Sequence, residues 1–319
     1  MEIDEIDRAL IHALEIDGRA PFSKIADVLG ISDQTVARRY RRLRATMAAR
    51  VVGQTAPWRV GHVRWHVRIK CEPSTSLAVA TALARRPDTY WVQMFSGGTE
   101  IDCVTESRNP EEPDTLLLQQ LPRTPRVTDV SAHSILHVYF NERDYQALLD
   151  SLTPEQIDAL RFRRSISNEP VILDAADYRM LAALELDGRA SHAELAKVTG
   201  WSESTVRRRM DYLRETGALY YDVDIDTAAL GFKLQARMWI SVPPSELATA
   251  GEALTAHREI AFAAATTGTA NLLTSVVCKD VPAFYEYLTT KVAALSAIEH
   301  METSPVIRTI KRGATLITQ

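Results

Sequence analysis

The chain has 319 residues, of which 46% are hydrophobic and 24% are charged, and its formal net charge is −4. This length and balance are typical of a folded protein with several domains, and they exclude a disordered chain and a binder coated in positive charge. No apolar stretch reaches the roughly 18 to 20 residues that cross a bilayer, and Met1–Asp4 lacks the basic start of a secretory signal, so we expect a cytoplasmic protein with no membrane partner. The three cysteines, Cys71, Cys103 and Cys278, have the spacing of neither a disulfide framework nor a zinc site.

An internal repeat organises the sequence. Residues 4–52 return at residues 174–222 with a constant offset of 170, and 21 of the 49 aligned positions are identical. The run Asp17–Ala20, for example, reappears as Asp187–Ala190. The chain is therefore a tandem duplication, and we expect both copies to keep one fold while their surfaces have diverged.

The start of each copy has the pattern of three short helices. In the first copy, apolar residues recur at helical spacing from Asp4 to Leu14 and from Phe22 to Leu29, after which Gly30 suits a left-handed helix end. Ser32 can cap a third helix, which is rich in arginine. The apolar stripe of this helix is Val36, Tyr40 and Leu43 in the first copy and Val206, Met210 and Leu213 in the second. This arrangement predicts a helix-turn-helix, and residues 51–52 and 220–225 suit a small β wing behind it.

The hydrophobic period changes after each helix-turn-helix. Residues 63–69 alternate between apolar and basic side chains, which predicts a strand with one apolar and one basic face. The pattern then predicts a helix over 77–85, strands over 90–95 and 101–105, a helix over 114–121 and a strand over 128–140. The second copy repeats this order over 234–242, 246–257, 260–266, 271–278, 283–292 and 297–310. The order β-α-β-β-α-β predicts a ferredoxin-like sandwich.

The predicted fold class is therefore α+β, with two winged helix-turn-helix domains and two ferredoxin-like domains. We expect domains at 1–60 and 61–140 in the first copy and at 171–230 and 231–319 in the second. Residues 141–170 join them and are predicted to be a helical linker, in which Thr153 precedes a short helix.

Three motifs occur in both copies in the same order. An acidic pair opens the first helix, an Asp-x-Arg turn follows it, and Ser-x-x-Thr-Val-x-x-Arg begins at the cap of the third helix: Asp4, Asp7, Asp17, Arg19, Ser32, Thr35, Val36 and Arg39, repeated as Asp174, Asp177, Asp187, Arg189, Ser202, Thr205, Val206 and Arg209. Together they resemble the leucine-responsive/asparagine-regulator (Lrp/AsnC) family of bacterial and archaeal transcription regulators. The resemblance implies a sequence-specific regulator that binds double-stranded DNA through the helix-turn-helix, and a ferredoxin-like domain that dimerises and senses a small metabolite such as an amino acid.

The sequence departs from the family pattern at two places. Where the third helix ends, the family has a glycine, as at Gly217, but the first copy has Met47, so we expect its helix end or wing to differ. The glycine turn between the second and third strands is kept, but its usual acidic neighbour is displaced to Asp102 in one copy and replaced around Asn271 in the other. This weakens any transfer of amino-acid specificity.

The third helix of the first copy is the predicted DNA reader. Opposite its apolar stripe a helical wheel places Gln34, Arg38, Arg41, Arg42 and Ala45, and guanidinium groups there can bind guanine edges or phosphates. Arg39 lies nearer the packed flank, so we expect it to bind phosphate or to brace the first helix. The alternative is a solvated charged face. The predicted DNA-binding residues are Ser32, Gln34, Thr35, Arg38, Arg39, Arg41 and Arg42, with Ser204, Thr205, Arg208 and Arg209 in the second copy.

The second copy is less basic. Residues 33–50 contain six arginines and one acid, whereas residues 203–220 contain four arginines and three acids, and Asp211 and Tyr212 replace Arg41 and Arg42. An acid that faces phosphates is repelled, so the second reader should bind more weakly or read another sequence. We therefore expect a covalent pseudo-dimer with unlike reading heads.

The basic face of the first predicted strand is the candidate effector site. It carries His62, Arg64, His66 and Arg68, which can bind a small carboxylate or can satisfy acids such as Glu100 and Asp102 across an interface between the two sheets. The predicted effector-binding residues are Arg64, His66, Arg68, Gly97, Gly98, Thr99, Gly268 and Thr269.

Other functions have weaker support in the sequence. The two-domain architecture also resembles that of siroheme decarboxylases. The runs 93–96 and 263–266, however, lack the His/Tyr-rich pattern that the resemblance implies beside a tetrapyrrole pocket. His133 and His137 share a strand face without a third metal ligand nearby, and no catalytic or cofactor motif is present, so neither an enzyme nor a metal or cofactor site is predicted. An architectural DNA-packing protein stays a further alternative, and self-association of pseudo-dimers is expected.

Overall fold

A computed structural model describes residues 3–107, 121–139, 149–162, 170–313 and 315–317. The elements of the first copy are α1 (Glu5–Ile16), α2 (Phe22–Leu29), α3 (Asp33–Ala45), β1 (Ala49–Thr55), α4 (Pro57–Val60), β2 (Val63–Cys71), α5 (Pro73–Ala84), β3 (Thr89–Phe95), β4 (Glu100–Ser107) and β5 (Val127–Val138). The linker helix α6 (Pro154–Leu160) follows, and the second copy contains α7 (Ala175–Leu186), α8 (His192–Thr199), α9 (Glu203–Glu215), β6 (Leu219–Ile225), β7 (Leu234–Ser241), α10 (Leu247–Thr255), β8 (Ile260–Thr266), β9 (Leu272–Cys278), α11 (Val281–Tyr287), β10 (His300–Arg312) and β11 (Thr315–Leu316). The predicted α+β fold is confirmed, while the helix predicted over 114–121 falls almost entirely outside the described residues.

The chain forms two compact units, and each unit combines parts of both copies. The helix-turn-helix unit contains Met1–Gly61 and Leu149–Leu230, and the sheet unit contains His62–Leu148 and Gly231–Gln319. Each copy therefore pairs its helix-turn-helix with the other helix-turn-helix, and its sheet with the other sheet. Among the described residues, no helix has the length and apolar character that crossing a lipid bilayer requires.

Caps fix where the helices of each helix-turn-helix begin, and a buried apolar stripe packs the third helix against the other two. Asp4 and Asp7 form a capping box at the start of α1, and Asp174 and Asp177 do the same for α7, so orphan backbone donors are satisfied in both copies. The predicted stripes on the third helices are buried in both copies. The backbone N–H of Val51 donates to the Tyr40 hydroxyl at 3.2 Å, which ties β1 to α3.

The predicted wing strands pair with each other across the two copies. β1 and β6 run antiparallel, with Val52 opposite Asp222 at the centre of the register. Each strand would otherwise be an edge with unpaired backbone groups, and the equivalent strand of the other copy pairs with them. The two strands thus form a two-stranded sheet shared between the copies, where the sequence suggested a separate small wing in each.

The Asp-Gly-Arg turns lock the two copies together. Arg19 donates to the carbonyls of Gly188 and Ala190 at 2.9 and 3.0 Å, and Arg189 donates to those of Gly18 and Ala20 at 2.6 and 3.0 Å. Both glycines are required by close approach, because a Cβ atom would stand 2.8 Å from Val51 at either position. The motif therefore acts here as a reciprocal clamp.

The helix end at Met47 does not differ from its counterpart, contrary to our expectation. Met47 has φ +55° and Gly217 has φ +73°, so both copies leave the third helix through a left-handed residue. The strands that follow are paired in one sheet, and this pairing holds Met47 in a conformation that methionine disfavours by about 1 to 2 kcal/mol.

The described part of the linker packs on the first helix-turn-helix. Gln156 of α6 donates to the Val28 carbonyl at 2.8 Å, and the Leu160 side chain is fully buried. The linker helix predicted from residues 153–156 is thus present, and it covers one side of the first copy.

The eight long strands of the sheet unit close into a ring. Within each copy the strands pair as β3-β4-β2-β5 and as β8-β9-β7-β10. β5 then runs on to pair with β8, and β10 runs on to pair with β3, so each long strand bridges the two sheets. Helices cover one face of each sheet over an apolar core, and the opposite, more polar faces meet each other.

Candidate functional site

The outward face of α3 presents three polar side chains to solvent. Gln34, Arg38 and Arg41 are exposed, and Arg38 forms no ion pair with any described residue. Arg41 only donates to the Ala37 carbonyl of its own helix at 3.3 Å. The Ser32 hydroxyl caps the helix by accepting from the Thr35 N–H at 3.2 Å. The face therefore offers one amide beside the helix N-terminus and two guanidinium groups farther along the helix.

Arg39 and Arg42 point toward α1. Arg39 lies 2.8 Å from both Asp4 and Asp7, and Arg42 contacts Asp7, whose side chain is fully buried. The hydrogen bond from Arg39 lowers the pKa of Asp4. The buried carboxylate of Asp7 needs the pairing with Arg39 and Arg42, because an unpaired buried charge is costly. Arg39 thus braces the first helix, which was one of our two expectations for it. Arg42 also contacts Asp7, whereas the helical wheel predicted that it would face the DNA groove.

Two further arginines of this segment pair with acids of the second copy. Arg44 lies 2.9 Å from Asp187, and Arg50 lies 2.9 Å from Asp224. Counting arginines in the sequence therefore overstates the positive charge available to a partner, since four of the six between residues 33 and 50 form ion pairs.

The outward face of α9 differs mainly by its acids. It exposes Ser204, Arg207, Arg208, Asp211, Tyr212 and Glu215. Arg209 makes a bidentate contact with the buried Asp177 at 2.8 and 2.6 Å, and Arg214 pairs with Asp17 of the first copy. Each head thus keeps two exposed arginines outside these pairs, but on α9 Asp211 and Glu215 stand among them and lower the local potential.

The meeting faces of the two sheets hold a network of ion pairs, in which His66, Glu100, Asp102 and Arg237 are buried and Glu302 is exposed. Arg68 contacts Glu100 and Glu302, and its guanidinium lies 3.9 Å from the centroid of the Trp239 ring. Asp102 contacts His66 and lies 3.0 Å from Arg237. Burial lowers the pKa of His66, which favours the neutral imidazole. The sequence left two roles open for these basic residues. They do pair with Glu100 and Asp102, but within their own sheet, because β2 and β4 are neighbours, whereas the pairs Arg68–Glu302 and Arg237–Asp102 cross between the sheets.

A cavity of about 200 Å³ remains between these faces. Its wall includes His66, Arg68, His133, Trp239, Thr266 and Glu302. His133 packs on the second glycine turn: its Nδ1 lies 2.8 Å from the Thr267 carbonyl, and a Cβ atom on Gly268 would be 2.5 Å from that nitrogen. Only glycine fits this approach, and Gly268 also has φ +107°. In the described ranges, no group of three or more His, Cys, Asp or Glu side chains is arranged to hold a metal ion.

Family models match most of these elements. The AsnC-type helix-turn-helix domain matches twice, at residues 3–44 and 173–214, and the Lrp/AsnC ligand binding domain matches at residues 235–316. The chain belongs to the Lrp/AsnC family.

Curated relatives of this Lrp/AsnC chain are about half as long. The HTH-type transcriptional regulator FL11 of Pyrococcus abyssi is 29% identical over 147 residues, which are 46% of this chain and 97% of the relative. The regulatory protein AsnC of Escherichia coli is 29% identical over 154 residues, which are 45% of this chain and 99% of the relative. A chain of twice the usual length agrees with the tandem duplication.

A solved structure resembles this chain in fold over nearly its whole length. The siroheme decarboxylase NirDL has a TM-score of 0.64 and 13% sequence identity, and the match covers 97% of this chain and 93% of that one. At this identity the likeness concerns the fold alone.

The structure distributes the predicted effector residues over three places. His66, Arg68 and Thr269 line the cavity, and Gly268 supports it by contact with His133. Arg64 lies apart in an ion pair with Glu106 at 2.7 Å, and Gly97, Gly98 and Thr99 form the equivalent turn of the other sheet.

Sequence reasoning missed part of the cavity wall. Trp239, Thr266, His300 and Glu302 come from β7, β8 and β10, and they meet His66 only because the two sheets pack face to face. Strand alternation could have placed each residue on a face, but the opposing register had no signal in the sequence.

Proposed function

We propose that this chain is a DNA-binding transcription regulator of the Lrp/AsnC type, a covalent pseudo-dimer whose two reading heads are unlike. The observation that carries the proposal is the exposed face of α3, where Gln34 stands near the start of a third helix and Arg38 and Arg41 follow on the same face. Residues at the start of a recognition helix are those that reach base edges in the major groove. Arginine suits this task because its fork can bind guanine edges or phosphate oxygens.

The second head contributes less in this proposal. Arg207 and Arg208 are available on α9, but Asp211 and Glu215 would face the phosphates and repel them. Arg39, Arg42 and Arg209 act mainly by holding the first helices through Asp7 and Asp177. Four hydroxyl side chains at the starts of the two third helices are exposed or half-exposed, and we propose that they also contact DNA: Ser32, Thr35, Ser204 and Thr205.

The sheet unit would respond to a small molecule. The match to a ligand binding domain and a cavity of about 200 Å³ with polar walls support this role. Such a volume is below the range of drug-sized pockets, so the effector is a small metabolite such as an amino acid or another small carboxylate. Association of pseudo-dimers into larger assemblies is part of the same proposal.

Selection of duplexes from a random library, followed by footprinting, tests the reading heads. We expect an operator made of two unlike half-sites, with the stronger protection on the side that α3 contacts. A clean palindrome with equal protection of both halves would contradict unlike heads. No affinity for any duplex at low salt would contradict the regulator itself.

A siroheme-decarboxylase-like activity is the second candidate. The whole-chain likeness to NirDL supports it, as do the imidazoles of His66, His133 and His300 beside Arg68. The size of the cavity speaks against it, because a tetrapyrrole is several times larger than an amino acid. Titration with siroheme, followed by absorbance, should give no saturable spectral shift, and a stoichiometric shift would favour the enzyme.

A further inference from the structure

We propose that the duplicated chain binds one small carboxylate-bearing ligand, of about amino-acid size, in the cavity beside Thr266, and that the equivalent place in the other half is closed by Phe95. The inference rests on the proposed small-molecule role of the sheet unit and makes it specific. It predicts one ligand per chain although the fold contains two copies of the ligand-binding architecture.

The strand registers identify the equivalent places. Ile135 of β5 pairs with Thr266, and Val306 of β10 pairs with Phe95. In the same way His66 pairs with His133, and Arg237 pairs with Ser304. Each of these sheet positions in the first copy therefore has a counterpart 171 residues later in the second, one more than the offset of the helix-turn-helix, and the cavity beside Thr266 has its counterpart beside Phe95.

Residue size decides which of the two places is open. Phe95 is fully buried, and its ring meets the Trp239 ring edge-on with centroids 6.0 Å apart. The equivalent contact on the other side would join Thr266 and Arg68, but the threonine is too short to fill that space and turns its hydroxyl to the Ala270 carbonyl at 3.1 Å. The shorter side chain leaves the cavity, and the phenyl ring occupies its counterpart.

The walls of the open cavity are suited to a carboxylate. Three of the eight histidines in the chain lie there: His66, His133 and His300. Nδ1 of His133 donates to a carbonyl, and its Nε2 is left to the ligand, where the neutral ring accepts a hydrogen bond and the imidazolium form donates one to a carboxylate. The Trp239 indole N–H is buried without a hydrogen-bond partner among the described residues, and an acceptor on the ligand would satisfy it.

Glu302 adds a group of opposite polarity to the same wall. Its carboxylate already pairs with Arg68, with 2.7 and 3.1 Å between the paired atoms, and it can accept further hydrogen bonds from an ammonium or hydroxyl group. The cavity thus combines donors for a carboxylate with an acceptor for a second polar group, which is the pattern that an amino acid or a hydroxy acid would match.

The closed counterpart lacks this chemistry as well as the space. There Arg237 takes the place of His66, and it is already held by Asp102 and by Gln93 at 3.0 Å each. Ser304 takes the place of His133 and lies 3.3 Å from Ser96, hydroxyl to hydroxyl. These polar groups satisfy each other and need no ligand.

The first test measures stoichiometry on the full chain. Thermal-shift screening with the standard L-amino acids and short dicarboxylates selects a binder, and titration calorimetry then counts it. We expect one molecule per chain, about tenfold or greater weakening in Thr266→Phe, and little change in the small control Thr266→Val. Two molecules per chain, or unchanged binding in a folded Thr266→Phe chain, would overturn the proposal.

Cysteine protection keeps the test decisive if Thr266→Phe does not fold. Ser241 lines the open cavity, and Lys70 holds the equivalent position on β2. The three native cysteines are buried, so a thiol reagent should report on Ser241→Cys and on the matched control Lys70→Cys. The selected compound should slow labelling of Ser241→Cys several-fold and leave Lys70→Cys unchanged.

The outcomes separate this inference from the proposed function. Equal protection of both cysteines would overturn the single site. A chain that binds duplex DNA while no compound of the screen binds it would also overturn the inference, yet it would leave the regulator standing.

Discussion

The helices α3 and α9 have equivalent buried residues and caps, but they differ in the side chains that they expose to solvent. Val36, Tyr40 and Leu43 are buried as their counterparts are, and serine caps both helices. Once internal ion pairs are taken into account, each helix keeps two arginines for a partner, and the remaining difference is that Asp211 and Glu215 stand on α9. Divergence after the duplication has therefore changed the outer face through added acids more than through lost arginines.

The common frame extends to the contacts between the copies. Arg44 pairs with Asp187 as Arg214 pairs with Asp17, and the two clamp arginines exchange equivalent carbonyls. A repeated contact of this kind restricts both partners at once, which explains why the Asp-Gly-Arg turn is identical in the two copies. The outer faces carry no such reciprocal restraint.

The largest effect is expected at the buried acids that hold the third helices. Asp7→Asn removes the charge shared by Arg39 and Arg42, and Asp177→Asn removes the partner of Arg209. Breaking a buried ion pair on one side costs about 3 to 5 kcal/mol, and the partial exposure of these arginines brings our expectation to about 3 kcal/mol. Denaturant unfolding of both variants measures it, and a loss below about 1 kcal/mol at Asp7 would show that Arg42 is not committed there.

The next prediction gives α3 the acid of α9. Arg41→Asp should weaken duplex binding by about 2 kcal/mol, because it removes one cationic contact and adds a charge that phosphates repel. Anisotropy titrations against a selected duplex measure this, with Arg41→Gln as the neutral control that should lose less. Equal binding by the wild type and by both variants would place Arg41 outside the interface.

The reverse exchange should strengthen the weaker head. Asp211→Arg is expected to raise affinity by about 1 kcal/mol and to steepen the salt slope by about one unit, because one more phosphate can be neutralised. Tyr212→Phe, which leaves the charge unchanged, is the control. A steeper slope in the control, or none in Asp211→Arg, would argue that α9 does not approach the duplex.

The smallest effect concerns the helix ends. Met47→Gly should stabilise the chain by about 1 kcal/mol and Gly217→Met should destabilise it by a similar amount, since both positions have a positive φ. Thermal unfolding of the two variants measures the pair. A destabilising Met47→Gly would mean that the methionine side chain contributes packing that exceeds its backbone strain.

The sequence was sufficient for the repeat and for most of the elements that the structure describes, but not for the pairings between copies. The buried stripe at Val36, Tyr40 and Leu43 follows from periodicity alone, because a helix must bury its apolar face. That Arg42 lies by Asp7, that β1 pairs with β6, and that Trp239 meets Arg68 depend on how distant segments pack. Periodicity reports which face of an element is buried, and it does not report which element covers it.

The salt dependence of duplex binding in Arg38→Ala and Arg208→Ala tests the account most directly. The two residues are equivalent in the repeat, and both are exposed. We expect Arg38→Ala to cost about 1 to 3 kcal/mol or to lower the salt slope by about one unit, according to whether it binds a base or a phosphate, and Arg208→Ala to change both quantities much less. Equal losses in the two variants, or a larger loss in Arg208→Ala, would contradict the claim that the first helix-turn-helix carries most of the affinity for DNA.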